Sequence, residues 1–284
     1  MAQAVVVTKS SGEREPFDEG KLRTSLLRAG ATSQAAEDIV EHIAKELEDG
    51  ITTSRIYRHA FLLLKKQDRI HAARYSMKRA LLALGPSGFP FERFVGEIFK
   101  ARGYATKTGV EVKGRCATHE LDLLAQKGEK RIVAELKFHN HVGMKSDLKD
   151  VLYVKARFED LAHVSDGPPI EGWFITNTKF TSNASEYGRC AGMTLIAWTY
   201  PSTGNLQDLI EETGVQPLTS LTTLSSGEKM KLLENKVVLC RAIGEEPGHL
   251  ERIGLSHAKI DAVVAESQAL CGARSTPYNT EHHS

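Results

Sequence analysis

The chain reads as an α/β protein, α+β overall: a small hairpin with four helices, then a mixed sheet flanked by helices, then a helical C-terminal region. Three observations predict this. Residues 5–84 pass from two short β-branched segments into amphipathic helical patterns. Residues 91–200 run helix, three strands, helix, strand, helix, strand, the order of a mixed sheet covered by helices. Between them "GPSGFP", residues 85–90, holds two prolines and two glycines and reads as a linker. The units expected are therefore 1–84, 91–212 and 217–271, followed by a loose tail over 272–284.

Each element has a local reason. "AVVVTKSSGEREPF" gives two short strands around a turn at Ser11-Gly12 and ends at Pro16. Asp18 can cap a helix that stops at Gly30. "TSQAAEDIVEHIAKELEDG" places Ala36, Ile39, Val40, Ile43 and Leu47 at helical spacing, up to Gly50. Thr52 or Thr53 opens a third helix, and "RIHAARYSMKRALLALG" a fourth. Past the linker, "FERFVGEIFKARGY" has Phe91, Phe94, Val95, Ile98 and Phe99 on one side. Three strands follow, and then "SDLKDVLYVKARFEDLA" with Leu148, Val151, Leu152, Val154 and Phe158 as its stripe. "EGWFITNTKF" and "MTLIAWTY" read as buried strands around a helix begun by "TSNASEYGRCAG". The segment "LCRAIGEEPGHLERIGLSHAKIDAVVAE" has a helix-turn-helix rhythm but no basic run, which suits a packing or dimerisation bundle.

Composition narrows the function. At 284 residues, 41% apolar and 26% charged, the chain can build real cores. A net charge of +1 gives no global basic field, so any nucleic-acid surface must be local. The four cysteines form no CxxC pair, which argues against a zinc ribbon or disulfide framework and fits a reducing cytoplasm. No apolar stretch approaches the ~20 residues of a membrane span, and the charged N-terminus is unlike a signal peptide.

The chemistry concentrates in "ELDLLAQKGEKRIVAELKFHN", residues 120–140. With Gly128 and Glu129 as a two-residue type II′ loop, Lys127 pairs with Lys130 and Asp122 falls opposite Glu135. Opposed Cβ atoms lie ~5 Å apart, so the two carboxylates repel unless a cation sits between them. Lys137 follows on the same face. Two carboxylates and a lysine suit a Mg²⁺ site for phosphodiester chemistry. The same spacing also fits a solvated strand face, and a slip of one residue would turn Asp122 away. His139, Asn140 and His141 rank below these three as phosphate or metal contacts. Lys149, Lys155 and Arg157 could follow a DNA backbone or form an ordinary solvated helix face.

Asp122, a short hairpin and Glu135-Leu136-Lys137 together resemble the PD-(D/E)xK nuclease core, specifically the Mrr-type restriction endonuclease domain, over residues 91 to about 200. The resemblance implies Asp122, Glu135 and Lys137 as catalytic residues, with Mg²⁺ or Mn²⁺ held by Asp122 and Glu135. It implies Glu97, on the opening helix, as a further metal ligand. "HEL" before Asp122 and "KFHN" after the lysine depart from the pattern, which bears on substrate preference.

Residues 4–84 resemble the ATP-cone, a nucleotide-binding regulatory module, through "EPFDEGKL", "DGITTSRIY" and "AARYSMKRAL". The resemblance implies that Lys9 and Lys21 meet phosphates, Thr53 helps hold the ligand and Val7 lies beside the base. Ser10 stands where the family commonly has arginine. A cone that binds no nucleotide and serves only oligomer contacts is the other reading. The expected function is thus a nucleotide-regulated, Mg²⁺-dependent DNA endonuclease, cytoplasmic and homo-oligomeric, with DNA and ATP or dATP as partners. The alternative is a non-catalytic, ATP/dATP-sensing DNA-binding regulator with an inactive nuclease fold.

Overall fold

The computed structural model describes residues 5–9, 12–162 and 170–272. Ser10, Ser11 and the expected tail from 273 onward lie outside the described residues.

The N-terminal unit begins with β1 (Val6–Thr8) and β2 (Arg14–Pro16), paired antiparallel with Val7 opposite Glu15. Helices α1 (Glu19–Arg28), α2 (Ser33–Lys45) and α3 (Thr53–Gln67) follow. Each is capped by the side chain before it: Asp18, Thr32 and Thr52 accept from the backbone N–H of Lys21, Ala35 and Arg55. Helix α2 stops at Lys45, short of the Gly50 expected, because residues 46–52 turn back to bond with β1. The fourth expected helix is two, α4 (Arg69–Tyr75) and α5 (Met77–Leu82), divided at Ser76, whose hydroxyl donates to the Ala73 carbonyl. Val7, Leu26, Ile39, Ile43, Ala60 and Leu64 form the core of this unit.

Helix α6 (Phe89–Ala101) begins inside the expected linker; Pro90 is tolerated in its first turn, where no backbone donor is needed. The main sheet contains β3 (Ala105–Lys113), β4 (Thr118–Lys127), β5 (Lys130–Lys137), β7 (Ile170–Thr176) and β9 (Thr194–Ile196), in the order β3-β4-β5-β7-β9. The first three strands are antiparallel and the last two join in parallel. Short strands β6 (Lys145–Ser146) and β8 (Lys179–Phe180) pair separately. The predicted stripe of α6 lies on one sheet face, against Leu123, Ala125, Ile132, Ala134 and Leu136. Helices α7 (Leu148–Ala162) and α8 (Ser182–Cys190) pack on Phe174 and Leu195. Along α7 the buried positions are Val151, Val154 and Leu161, with Phe158 partly buried; Leu152, expected in the stripe, is 44% exposed, about 100° of helix turn from Val151. Gly172 on β7 makes room for Phe158, since a Cβ there would lie 2.3 Å from the ring.

Beyond the sheet come α9 (Leu206–Thr213), α10 (Ser226–Glu234), α11 (Cys240–Glu245), α12 (Gly248–Arg252) and α13 (His257–Gly272). Ile243, Leu250 and Val263 join the same core as α6, and so do Met77, Leu81 and Leu84 from the N-terminal side. One hydrophobic core thus crosses the linker and both ends of the sheet region. The N-terminal unit is also tied on by Arg28, whose guanidinium pairs with Asp208 at 2.6 Å and Glu211 at 3.1 Å on α9.

Candidate active site

The β4–β5 hairpin sets the centre. Its register runs from Lys127↔Lys130 to Leu123↔Ala134, so the next pair outward is Asp122 and Glu135. Gly128 has φ +58° and Glu129 a negative φ, the combination of a II′ turn. Asp122 is fixed across the hairpin, its Oδ2 accepting from the Leu136 N–H at 2.7 Å. Strand β5 is flanked by β4 and β7, which holds Glu135 beside Phe174 and Lys137 beside Thr176 in register.

The electrostatics are those of crowded, half-buried anions. Burial pushes the Asp122 carboxyl up. Burial, then the charge of Asp122, pushes Glu135 up to about 7. Glu92 on α6 is likewise pushed up to about 7, by burial and then by Asp122 and Glu120. Partly dehydrated like charges must either take protons or share a cation. In this structure the cation beside Glu135 is Arg157 of α7, which pairs with the Glu135 carboxylate and also donates to the Glu120 carbonyl. Lys137 is half exposed, with its Nζ 3.5 Å from Asp150. The opposed carboxylates of Asp122 and Glu135, with Glu92 near enough to feel the Asp122 charge, offer the oxygen donors that a hard divalent ion takes.

Asp122, Glu135 and Lys137 are therefore brought together. Glu97 is not with them: its carboxylate is held by Lys100 at 2.6 Å and by Arg241 of α11 at 2.7 Å. Glu92, five residues earlier on the same helix, faces the site instead. Arg157 and Lys155 also differ from the expectation of backbone-tracking cations. Arg157 lies in the site, and Lys155 donates to the Ala191 carbonyl at 3.0 Å, tying α7 to the end of α8. His139 is buried and bonded to Ser146 and Asn177, a structural role. Lys149 stays exposed and, with Lys145 and Ser182, lines an open depression between the starts of α7 and α8. Glu92 could have been suspected from sequence as an acid bordering the α6 stripe. Arg157 could not, because its partners are 22 and 37 residues away.

In the N-terminal unit, Lys9 pairs with Glu15 at 2.6 Å and Glu13 at 3.2 Å. The Lys9 contact, with a smaller effect from the charge of Lys21, holds the Glu15 carboxyl below its usual range, while the Lys21 Nζ itself lies 3.7 Å from Asp18. Thr53 opens α3 next to Thr52, which bridges to Thr8 of β1. Val7 is 3% exposed, with its side chain in the core of the unit.

Comparison with known proteins follows the same division. The family model for an ATP cone domain matches residues 5–80. A restriction endonuclease model matches residues 85–199. A third, AF1548-like, C-terminal, matches residues 217–271. An uncharacterized protein of Archaeoglobus fulgidus is 34% identical over 181 residues, which are 63% of this chain and the whole of that protein. The crystal structure of AF1548, a protein of unknown function, is 32% identical with a TM-score of 0.54, covering 66% of this chain and 99% of that one. The MspJI restriction endonuclease, solved with a 27-mer oligonucleotide, is 16% identical over 58% of this chain and 36% of its own, at a TM-score of 0.36. The chain belongs to the AF1548-like family and carries an ATP-cone domain ahead of its restriction endonuclease domain.

Proposed function

We propose that the protein is a nucleotide-regulated, divalent-metal-dependent DNA endonuclease. The observation that carries this reading is the fixed opposition of Asp122 and Glu135, with Lys137 two residues on, in a setting that raises both carboxyls. Asp122 and Glu135 would hold Mg²⁺ or Mn²⁺, with Glu92 rather than Glu97 as the acid contributed by α6. A hard ion bound there supplies charge to neutralise the scissile phosphate and to acidify water. Lys137 orients the attacking water and offsets charge on the phosphate in the transition state. Lys145 and Lys149 would meet the DNA backbone nearby. Arg157 holds Glu135 in place, and an ion at the site would compete with it for that carboxylate.

The cone would take ATP or dATP, with Lys9 and Lys21 as phosphate cations and Thr53 at the start of α3. Helix α1 is the connection: Lys21 lies in its first turn, and its last residue, Arg28, grips α9. A nucleotide that favours one placement of α1 would bias the nuclease side and the homo-oligomer, to the extent that its affinity differs between states. Among the described residues no helix is long and apolar enough to cross a membrane, and a cytoplasmic setting suits the free thiols.

The test is cleavage of methylated and unmethylated plasmid with Mg²⁺, with and without ATP or dATP, for the native chain and Lys137→Ala. Cleavage lost in the variant supports the enzyme, and nucleotide dependence gives the cone its role. The Arg157–Glu135 pair favours the second reading, a DNA-binding regulator without activity. DNA binding with no cleavage of either plasmid in Mg²⁺ or Mn²⁺ would select that one.

A further inference from the structure

The nuclease centre leaves unused a second set of ligand-type side chains, in the N-terminal unit. His42 and Glu46 lie one helical turn apart at the end of α2, on the same face, and His59 reaches them from α3. Among the described residues this is the one group of three His, Cys, Asp or Glu side chains whose donor atoms all lie within 4.8 Å of one another. His42 Nε2 is 3.3 Å from Glu46 Oε1, and His59 Nδ1 is 3.3 Å from Glu46 Oε2. The two rings stand edge to face, with centroids 5.1 Å apart.

Ligand atoms about 2.0–2.1 Å from one tetrahedral ion stand about 3.3–3.4 Å apart, and each imidazole here lies 3.3 Å from a carboxylate oxygen of Glu46, a spacing that such an ion can bridge. We propose that His42, Glu46 and His59 form a site for a Zn²⁺-class transition ion, with its remaining position open to solvent. Two imidazoles and one carboxylate suit zinc and its neighbours and disfavour Mg²⁺, which prefers oxygen alone. The side chains are between 33% and 55% exposed, so an ion can enter without unfolding the helices.

Bound there, the ion fastens the end of α2 to α3 on either side of the loop 46–52. That loop bonds β1 at four points: the Val6 N–H to Asp49, the Thr8 N–H to the Ile51 carbonyl, the Thr8 hydroxyl to the Gly50 carbonyl and the Gly50 N–H to the Val6 carbonyl. The consequence is a stiffer N-terminal unit, with its β1 wall held in place.

The experiment titrates Zn²⁺ against a chromophoric chelator, using the full chain carrying Asp122→Ala and excess Mg²⁺ so that the nuclease carboxylates do not contribute. Co²⁺ absorption then reports coordination geometry. One equivalent should bind, with a tetrahedral-type Co²⁺ spectrum and a rise in thermal midpoint. His42→Ala and His59→Ala should each weaken binding by at least about tenfold, the lower bound for losing even an outer-shell partner, and should abolish the thermal shift. If either alanine variant melts early without metal, Glu46→Gln decides, because it keeps volume and hydrogen bonding but not the charge. No zinc binding, or equal binding by parent and variants, overturns the proposal.

Discussion

Replacing Arg157 with methionine isolates the electrostatics of the nuclease centre, since methionine keeps the apolar stem and removes the guanidinium. In the native chain the side chains of Arg157 and Glu135 are only 12% and 20% exposed. The variant leaves Glu135 beside Asp122 with its main counter-charge gone. Breaking a buried pair costs about 3–5 kcal/mol, but this pair is not fully buried and Glu135 can escape by taking a proton. At ~1.4 kcal/mol per pKa unit, a carboxyl displaced from the ordinary 4.5 to about 7 bears roughly 3 kcal/mol against ionisation even with Arg157 present. The sign is that of a raised carboxyl: stability is complete at low pH and falls as pH rises through about 7. Urea unfolding followed by circular dichroism should therefore show R157M about 2–3 kcal/mol less stable than the native chain at pH 8 and within about 1 kcal/mol of it at pH 5. Mg²⁺ at pH 8 should restore part of the loss, because the ion then supplies the missing charge. A loss that is equal at both pH values would refute the reasoning. So would indifference to Mg²⁺.

Other outcomes follow from the same contacts. Glu92→Gln should weaken Mg²⁺-dependent stabilisation severalfold in a thermal melt, whereas Glu97→Gln should leave the Mg²⁺ response unchanged; the reverse would return Glu97 to the site. Gly172→Ala should cost about 1–3 kcal/mol in urea unfolding, since its Cβ would enter the space of the Phe158 ring; a neutral result would mean that α7 shifts freely on the sheet. Glu228, whose carboxyl is held down to about 2 chiefly by Lys259 and also by the Ser225 N–H, contributes above pH 4.5 and ceases to contribute as pH falls toward 2. Native chain and Glu228→Gln should thus differ by about 1 kcal/mol at pH 7 and converge in acid, which a pH series of melts checks.

The sequence by itself determined what local geometry can fix. A two-residue turn with Gly128 at φ +58° leaves β4 and β5 one register, and that register puts Asp122 across from Glu135. The α6 stripe follows from spacing alone, as does the capping of α1 by Asp18. Tertiary structure decided which edge of α6 meets the sheet. At 100° per residue, Glu92 falls about 90° to one side of the stripe's centre and Glu97 about 130° to the other. Both are acids bordering a buried face, and only the roll of the helix on β3 and β4 selects Glu92 for the site and gives Glu97 to Arg241. Arg157 is the same case on α7. Its sequence neighbours describe a solvated helix face, and its role comes from partners 22 and 37 residues away that the folded sheet carries beneath it. Spacing along the chain encodes what lies on one element, but contacts between elements depend on how their faces pack.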